Sequence, residues 1–130
     1  MNVLIVDDSK IVRRVLSNTL KRFFKQPEWS ELNLFEAEDG NEAMDMMEKE
    51  KIDIMLLDWN MPNMTGPEVV EAVRAKKEWN KTRIIMATTE GSKASVLAMI
   101  KKGANGYMVK PFQEDAIFKT LQTITARMPK

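Results

Sequence analysis

The fold is decided by the segment MNVLIVDDSK at residues 1–10. Its apolar residues form a continuous run, which is typical of a parallel β-strand that is covered on both faces. Asp7 and Asp8 end the run, and Ser9 then provides a side chain suited to the N-cap of a helix. The segment therefore predicts a buried strand, a polar turn and a helix in direct succession.

The same pattern recurs along the chain. The five predicted strands cover residues 3–6, 32–37, 54–57, 84–87 and 107–109, and the second mixes in polar residues as an edge strand does. Helical patterns follow them from Ser9, from Asn41, around Pro67, from Ser92 and around Ile117. Strict alternation of strands and helices predicts one doubly wound α/β domain over residues 1–130, with a parallel sheet between two helical layers.

Two side-chain patterns complete the predicted packing. The apolar face of the first helix is expected to contain Val12, Val15, Leu16, Leu20, Phe23 and Phe24, and methionines at core spacing are expected at Met44, Met47, Met55, Met86 and Met99. The basic pairs Arg13–Arg14 and Lys101–Lys102 are interpreted as solvated helix faces, because no aromatic residues interleave with them as in a nucleic-acid surface.

Composition excludes several classes of function. The 130 residues include neither cysteine nor histidine, which removes disulfides, thiolate chemistry, imidazole zinc sites and histidine general bases. The net charge of +1 gives no bulk attraction to nucleic acid. No apolar run approaches the length of a membrane span, so we expect a cytoplasmic protein without membrane insertion.

Polar side chains follow the predicted strands where each one ends: Asp7 and Asp8, then Asp58, then Thr88 and Thr89, then Lys110. The carboxyl ends of parallel strands meet at one edge of a sheet, so these groups should converge. Two carboxylates about 4 Å apart repel by about 4 kcal/mol at an effective dielectric constant near 20. A hard cation relieves that repulsion, and oxygen ligands favour Mg²⁺.

Four motifs carry a family resemblance: LIVDDS at 4–9, LLDWNMPNMTG at 56–66, IIMATTE at 84–90 and GANGYMVKPF at 103–112. In order and spacing they resemble the receiver domain of bacterial two-component response regulators, in particular the single-domain, CheY-like chemotaxis regulators. The resemblance covers essentially the whole chain. It implies a flavodoxin-like (βα)5 fold with strand order 2-1-3-4-5.

The resemblance also implies a role for each matching residue. Asp58 looks like the phosphoacceptor, Asp8 like a direct Mg²⁺ ligand, and Asp7 like a residue that acts on the metal largely through water. The backbone carbonyl of Asn60 would complete the protein ligands, and Asp58 would contribute to the same site. Asn60 also matches a position that tunes the dephosphorylation rate, as do Thr89 and Glu90.

The remaining matches form a switch. Lys110 looks like the lysine that pairs with Asp58 and then with the phosphoryl oxygens, and its bond to Pro111 is cis in the family. Thr88 resembles the hydroxyl that reaches the phosphoryl group, and Tyr107 the ring that moves inward in response. The partner face that the resemblance implies lies on the fourth helix, fifth strand and fifth helix, around Lys93, Val96, Ile100, Tyr107 and Lys119.

The function implied is a phosphorylation-controlled signalling switch, and not an enzyme beyond its own phosphorylation and dephosphorylation. The donor would be a sensor histidine kinase or a small molecule such as acetyl phosphate, because this chain has no histidine to carry the phosphoryl group. The partners would be a target such as a flagellar motor component and a phosphatase, with the switch itself a monomer. A stand-alone phosphorelay protein or another non-motility receiver remains the alternative.

Two functions from other classes fit the sequence less well. Mg²⁺-dependent phosphohydrolases with an aspartyl nucleophile usually carry D-x-D after the first strand, whereas Asp7 and Asp8 are adjacent here. A flavodoxin-like FMN carrier would need a phosphate loop rich in hydroxyls and glycine at the same place, and two aspartates would repel the phosphate. The segment at residues 25–30 is longer than in the chemotaxis regulators, and its role is open.

Overall fold

The computed structural model of the chain describes residues 1–25 and 31–129. Its strands are β1 Asn2–Val6, β2 Asn33–Ala37, β3 Ile54–Leu57, β4 Arg83–Thr88 and β5 Gly106–Val109, and its helices are α1 Lys10–Phe23, α2 Gly40–Lys49, α3 Gly66–Arg74, α4 Lys93–Lys102 and α5 Glu114–Ala126. A short 3₁₀ turn at Lys77–Trp79 was not predicted from the sequence. Most of the segment 25–30 lies outside the described residues.

The five strands form one parallel sheet in the order β2-β1-β3-β4-β5. The predicted fold class is therefore confirmed. The central strand β3 is buried along its whole length. Its neighbour β1 is buried from Val3 onward. Continuous apolar runs form such strands because helices cover the sheet on both faces.

Each face of the sheet supports its own core. On one face α2, α3 and α4 cover side chains such as Leu4, Met55 and Met86. On the other face α1 and α5 cover their neighbours in sequence, such as Ile5, Leu56 and Ile85. Among the methionines expected in the core, Met47, Met55, Met86 and Met99 are buried and Met44 packs against the same cluster.

Local sequence sets the helix ends. The Ser9 hydroxyl accepts from the Val12 amide at 3.3 Å and begins α1, as predicted. Thr65 and Glu68 form a reciprocal capping box at the start of α3. Gly103 ends α4 with a φ of 121°, a conformation that a residue with a side chain rarely adopts.

Two expectations for α1 are wrong. Val15 is 48% exposed, and Arg13 is buried at 6% exposure although it was interpreted as part of a solvated face. The buried residues of the helix are Arg13, Leu16, Thr19, Leu20 and Phe23. Leu16, Leu20 and Phe23 belong to the predicted apolar face, which is confirmed at these positions. Arg13 lies three residues before Leu16, so a guanidinium occupies the first position of the buried stripe.

At the amino ends of the strands, one side chain joins several elements. Arg74 ends α3, and its guanidinium donates to the carbonyl oxygens of Gly103 at 3.0 Å, Trp79 at 3.1 Å and Thr82 at 2.7 Å. It also donates to Asn105 Oδ1 at 2.9 Å. The carboxyl-terminal end of α4 is thereby fixed to α3 and to the segments that precede β4 and β5.

No helix among the residues that the structure describes has the length and apolar character needed to cross a membrane.

Candidate functional site

The carboxyl end of the sheet gathers the polar groups predicted from the sequence. Asp7 follows β1, Asp58 follows β3, Thr88 ends β4 and Lys110 follows β5. Asp7, Asp58 and Thr88 are at most 6% exposed, although each carries a polar side chain. Buried polar groups require partners, and the partners here are mainly one another.

Lys110 is the cation at the centre of this cluster. Its Nζ lies 2.8 Å from Asp7 Oδ2 and 3.3 Å from Asp58 Oδ2. The peptide bond to Pro111 is cis, as the family resemblance implied. Burial alone would lower the pKa of Lys110, but its hydrogen bond to Asp7 and the charges of both carboxylates prevail and raise the pKa of the ammonium.

The two adjacent aspartates differ in the exposure of their carboxylates. Asp7 is buried, and both of its oxygens are engaged: Oδ1 accepts from the Ser9 amide at 2.8 Å and Oδ2 from Lys110. Asp8 is exposed. This difference agrees with the expectation that Asp8 is the more direct metal ligand and that Asp7 acts from behind it.

The Asp58 carboxylate is held by hydrogen bonds, and burial disfavours its charged form. Its Oδ1 accepts from the Trp59 amide at 2.7 Å, which leaves Oδ2 facing Lys110. Burial raises the pKa of Asp58, and the neighbouring Asp7 carboxylate raises it further, whereas Lys110 and the hydrogen bonds from Trp59 and Thr88 lower it by less. The ionised carboxylate is therefore under-compensated, and a further cation would stabilise it.

The donor set fits a hard divalent cation. Carboxylate oxygens of Asp7, Asp8 and Asp58 all lie within 4.8 Å of one another. The three candidate ligands provide oxygen only, and burial together with the Asp7 charge raises the pKa of Asp58, which means that its charged form would gain from a nearby cation. Oxygen ligands with an exposed side suit an ion that keeps part of its water shell. The cluster can hold a metal ion.

A chain of contacts leads from the acidic cluster to β5. The Thr88 side chain is fully buried, and its hydroxyl accepts from the Glu90 amide at 3.3 Å. The carbonyl oxygen of Glu90 accepts a hydrogen bond from the hydroxyl of Tyr107. The half-buried ring of Tyr107 is thus bonded to the loop that Thr88 begins, and burial together with the Glu90 charge raises the pKa of its hydroxyl. Thr89 is exposed beside this path.

The loop after Asp58 is held from two sides. Gly66 packs so closely that an added Cβ would lie 2.3 Å from the Asp58 carbonyl oxygen. Asn63 has a φ of 69°, and its amide donates to Asp39 Oδ2 at 2.8 Å, which ties the loop to the N-cap of α2. Asn60, the expected carbonyl ligand, is exposed within this loop. The contacts of Gly66 and Asn63 were not predicted.

The predicted partner face lies away from the acidic cluster. Lys93, Ile100 and Lys119 are exposed, and Val96 and Tyr107 are half-buried. A surface groove between β5 and α5 includes Tyr107 and Lys119 in its lining. Leu97 on α4, which was not singled out in the sequence, is 58% exposed on the same helix.

Sequence reasoning missed Arg13 as a residue of the site. Its guanidinium donates to the Asp7 carbonyl oxygen at 2.6 Å, directly behind the acidic cluster. The available signal was its position: Arg13, Leu16, Leu20 and Phe23 follow one another at intervals of three, four and three residues. The predicted apolar face includes the last three of these residues, whereas Arg13 was interpreted as part of a solvated face.

Comparisons with known proteins agree with this geometry. Residues 3–122 match the model of the response regulator receiver domain family. A chemotaxis protein CheY homolog of Campylobacter jejuni is 42% identical over 125 residues, which cover 95% of this chain and 92% of the relative.

Solved structures give the same result. The chemotaxis response regulator CheY4 of Vibrio cholerae aligns with a TM-score of 0.82 at 38% identity, covering 95% of this chain and 97% of that one. CheY of Borrelia burgdorferi, solved in a complex with CheX, BeF₃ and Mg²⁺, aligns with a TM-score of 0.83 at 28% identity, covering 96% of this chain and 89% of that one.

Proposed function

This chain belongs to the response regulator receiver domain family, and we propose that it accepts a phosphoryl group on Asp58 with the help of Mg²⁺. It is a phosphorylation-activated switch of the chemotaxis type, a signalling protein rather than a classical enzyme. The observation that carries the assignment of Asp58 is its position: a buried carboxylate with one oxygen fixed by the Trp59 amide and the other beside Lys110.

The proposed reaction is an in-line transfer. An Asp58 carboxylate oxygen attacks phosphorus and forms an acyl phosphate, while the bond from phosphorus to the donor breaks and the donor leaves with its electron pair. The donor is a phosphohistidine of a sensor kinase or acetyl phosphate, which releases acetate. The Lys110 ammonium can then move its hydrogen bond from Asp58 to a phosphoryl oxygen, so its charge remains balanced throughout.

Bound Mg²⁺ would supply charge neutralisation for the carboxylates and the phosphoryl oxygens. Asp8, Asp58 and the carbonyl of Asn60 would hold it directly, and Asp7 would contribute through water. Asp7 is suited to the indirect role because its two oxygens already accept from Ser9 and Lys110. The exposed side of Asp8 leaves room for the metal's remaining water ligands.

The proposed output runs through Thr88 and Tyr107. A phosphoryl oxygen on Asp58 offers the Thr88 hydroxyl a strong charged acceptor. Movement of that hydroxyl would weaken its bond with the Glu90 amide and change the loop to which Tyr107 is hydrogen-bonded. The face around Lys93, Val96, Ile100, Tyr107 and Lys119 would then present a different surface to a target protein, such as a flagellar motor component.

The proposal also includes the residues that set the rate of dephosphorylation and a phosphatase partner. Asn60, Thr89 and Glu90 flank the site and would set the rate of dephosphorylation, in line with their positions in the chain's motifs. A phosphatase partner is supported by the Borrelia burgdorferi structure, in which CheX binds CheY with BeF₃ and Mg²⁺. The stand-alone phosphorelay protein remains the alternative, and the target that binds the phosphorylated form distinguishes the two.

The test is incubation with acetyl phosphate and Mg²⁺, followed by intact mass spectrometry. We expect one added phosphoryl group that is stable in acid and labile in base, as an acyl phosphate is. Asp58→Asn should abolish the modification, whereas Asp45→Asn on the exposed surface of α2 should leave it unchanged. Phosphate mapped reproducibly to a serine or threonine would overturn the assignment of Asp58.

A further inference from the structure

The side chain of Arg13, in the first turn of α1, is only 8% exposed. Its Nη1 donates to the Asp7 carbonyl oxygen at 2.6 Å, and its Nε donates to Glu36 Oε1 at 2.8 Å. Its Nη2 also lies 3.8 Å from Glu38 Oε1. One guanidinium therefore joins the first turn of α1, the end of β1 and the end of β2.

The bond to Asp7 acts on the peptide that links the two aspartates. The Asp7 carbonyl belongs to the planar unit that ends at the Cα of Asp8, so holding this oxygen restricts the position of the Cα from which the Asp8 side chain departs. A guanidinium is planar and presents its donors in a rigid fork, which lets it hold Asp7 and Glu36 at fixed angles to each other. The single nitrogen of a lysine lacks that fork.

Packing does not explain why this residue is charged. A buried cation requires desolvation, and an apolar side chain of similar volume usually packs a helix at least as well. Arg13 needs the partly exposed carboxylates of Glu36 and Glu38 to balance it, which α1 would not require with an apolar residue at this position. A charged residue at this position is explained if its function is to hold the Asp7 carbonyl by a hydrogen bond.

We propose that Arg13 is a positioning residue of the acidic site: it orients the Asp7–Asp8 peptide so that both carboxylates converge with Asp58 on one divalent cation. The inference rests on the proposed function, because it assumes that the cluster binds Mg²⁺. It extends the site to the layer behind the ligands, where outer contacts tune metal affinity.

The sign of the effect makes the proposal testable. By Coulomb's law alone, removing a cation near the acidic cluster should strengthen Mg²⁺ binding. Loss of a positioning contact should weaken it instead. Mg²⁺ titration by calorimetry on Arg13→Met should therefore show a dissociation constant raised by about tenfold. Arg14→Met is the matched control on the exposed side of the same helix, and it should bind within about twofold of wild type.

Two more variants separate geometry from charge and from folding. Arg13→Lys keeps the charge but not the fork, so it should resemble Arg13→Met. Glu36→Gln weakens the anchor of the guanidinium at a side chain that is 53% exposed, so the fold is not at risk and a smaller weakening of about threefold is expected. With acetyl phosphate, the half-saturating Mg²⁺ concentration should rise in Arg13→Met while the rate at saturating Mg²⁺ stays within about twofold, a split that general destabilisation would not produce.

The outcomes are distinct. Mg²⁺ binding to Arg13→Met that equals or exceeds that of wild type overturns the inference and leaves the proposed function intact. Equal weakening in Arg14→Met also overturns it, because the effect would then not depend on the contact with the Asp7 carbonyl. Full rescue by Arg13→Lys overturns it too, because the fork of the guanidinium would then not be required. Failure of the wild-type protein to bind Mg²⁺ would overturn the proposed metal site together with this inference.

Discussion

Helices α1 and α4 cover opposite faces of the sheet, and the sheet holds them differently. α1 buries a stripe of five residues and is joined to β1 and β2 by the Arg13 guanidinium. α4, all of whose residues are described, buries Met99 alone and exposes Leu97 and Ile100. Asp7 and Asp8 lead directly into the tightly packed helix, and the proposed response arises at the loosely packed one.

This difference has a physical reason. Residues that share a metal or a phosphoryl group must keep their geometry to within a fraction of an ångström, which requires packing that admits one arrangement. A responding element must have a second arrangement within a few kcal/mol, and few buried contacts keep that difference small. Four substitutions test this difference in packing.

The largest effect should come from the tightly packed loop after Asp58, at Gly66. In Gly66→Ala the new Cβ would lie 2.3 Å from the Asp58 carbonyl oxygen and 2.9 Å from the Trp59 Cα, both backbone atoms that cannot rotate away. We expect the free energy of unfolding to fall by about 3 kcal/mol, measured by urea denaturation.

Gly91→Ala is the matched control near α4. Its added Cβ would lie 3.0 Å from Val109 Cγ1, at the end of a side chain that is 45% exposed. That side chain can adjust, so a loss below about 1 kcal/mol is expected. Equal losses in the two variants would contradict the contrast in packing.

The second effect concerns Met99, the buried side chain of α4. Met99→Ala removes the one buried side chain of the helix, and the free energy of unfolding should fall by about 2 kcal/mol. Hydrogen exchange should accelerate in α4 more than in α1, because α1 has its own buried stripe. Leu97→Ala, at a side chain 58% exposed, should change stability by less than about 0.5 kcal/mol. Uniform acceleration across both helices would show that α4 does not open independently.

The third effect has the opposite sign. Burial and Asp7 raise the pKa of Asp58, so the folded protein binds this proton more tightly than the unfolded chain does. Ionised Asp58 therefore destabilises the fold at pH 7, and the destabilisation disappears as the pH falls through the folded pKa toward the ordinary value of 3.8. Asp58→Asn should raise the free energy of unfolding at pH 7 by about 1 kcal/mol without Mg²⁺.

The pH series supplies its control. The gain from Asp58→Asn should shrink steadily when thermal unfolding is repeated at lower pH, because wild-type Asp58 then becomes neutral too. Added Mg²⁺ should stabilise wild type more than the variant. A gain that is independent of pH would assign the effect to packing rather than to charge.

The smallest effect should come from Tyr107→Phe, which removes the hydroxyl that donates to the Glu90 carbonyl. The half-buried ring remains, so the free energy of unfolding should fall by only about 0.5 kcal/mol. Amide shifts on adding beryllofluoride should decrease at α4 and β5 while those around Asp8 and Asp58 persist. Unchanged shifts at α4 would show that the path to this helix does not pass through the hydroxyl.

The sequence allowed prediction of those features that depend on local rules. The strands appear within one residue of their predicted bounds, because a continuous apolar run can only be satisfied by burial on both faces. Ser9 and Ser92 mark the starts of helices as expected, since caps are local interactions. The convergence of Asp7, Asp58 and Lys110 follows from the parallel sheet.

The remaining features depend on contacts between distant segments. Nothing in the sequence around Asn63 indicates that its amide reaches Asp39, because a loop's path is set by the elements it meets. In α1, Leu16, Leu20 and Phe23 are buried as predicted. The burial of Arg13 was not predicted, because it depends on acceptors on Asp7 and Glu36 in other segments. The roles of Asn60, Thr89 and Glu90 in setting rates stay predictions.

The four hydrogen bonds of Arg74 have a mechanical consequence for α4. They fix the carboxyl-terminal end of the helix, whereas its opposite end begins beside the loop that Tyr107 contacts. The ten residues of α4 span about 15 Å, so a tilt of about 4° about the Arg74 end displaces the other end by about 1 Å. If the proposed switch operates, we therefore expect a small movement near Thr88 to displace α4 by an amount that decreases along the helix, from Lys93 to nearly zero at Gly103.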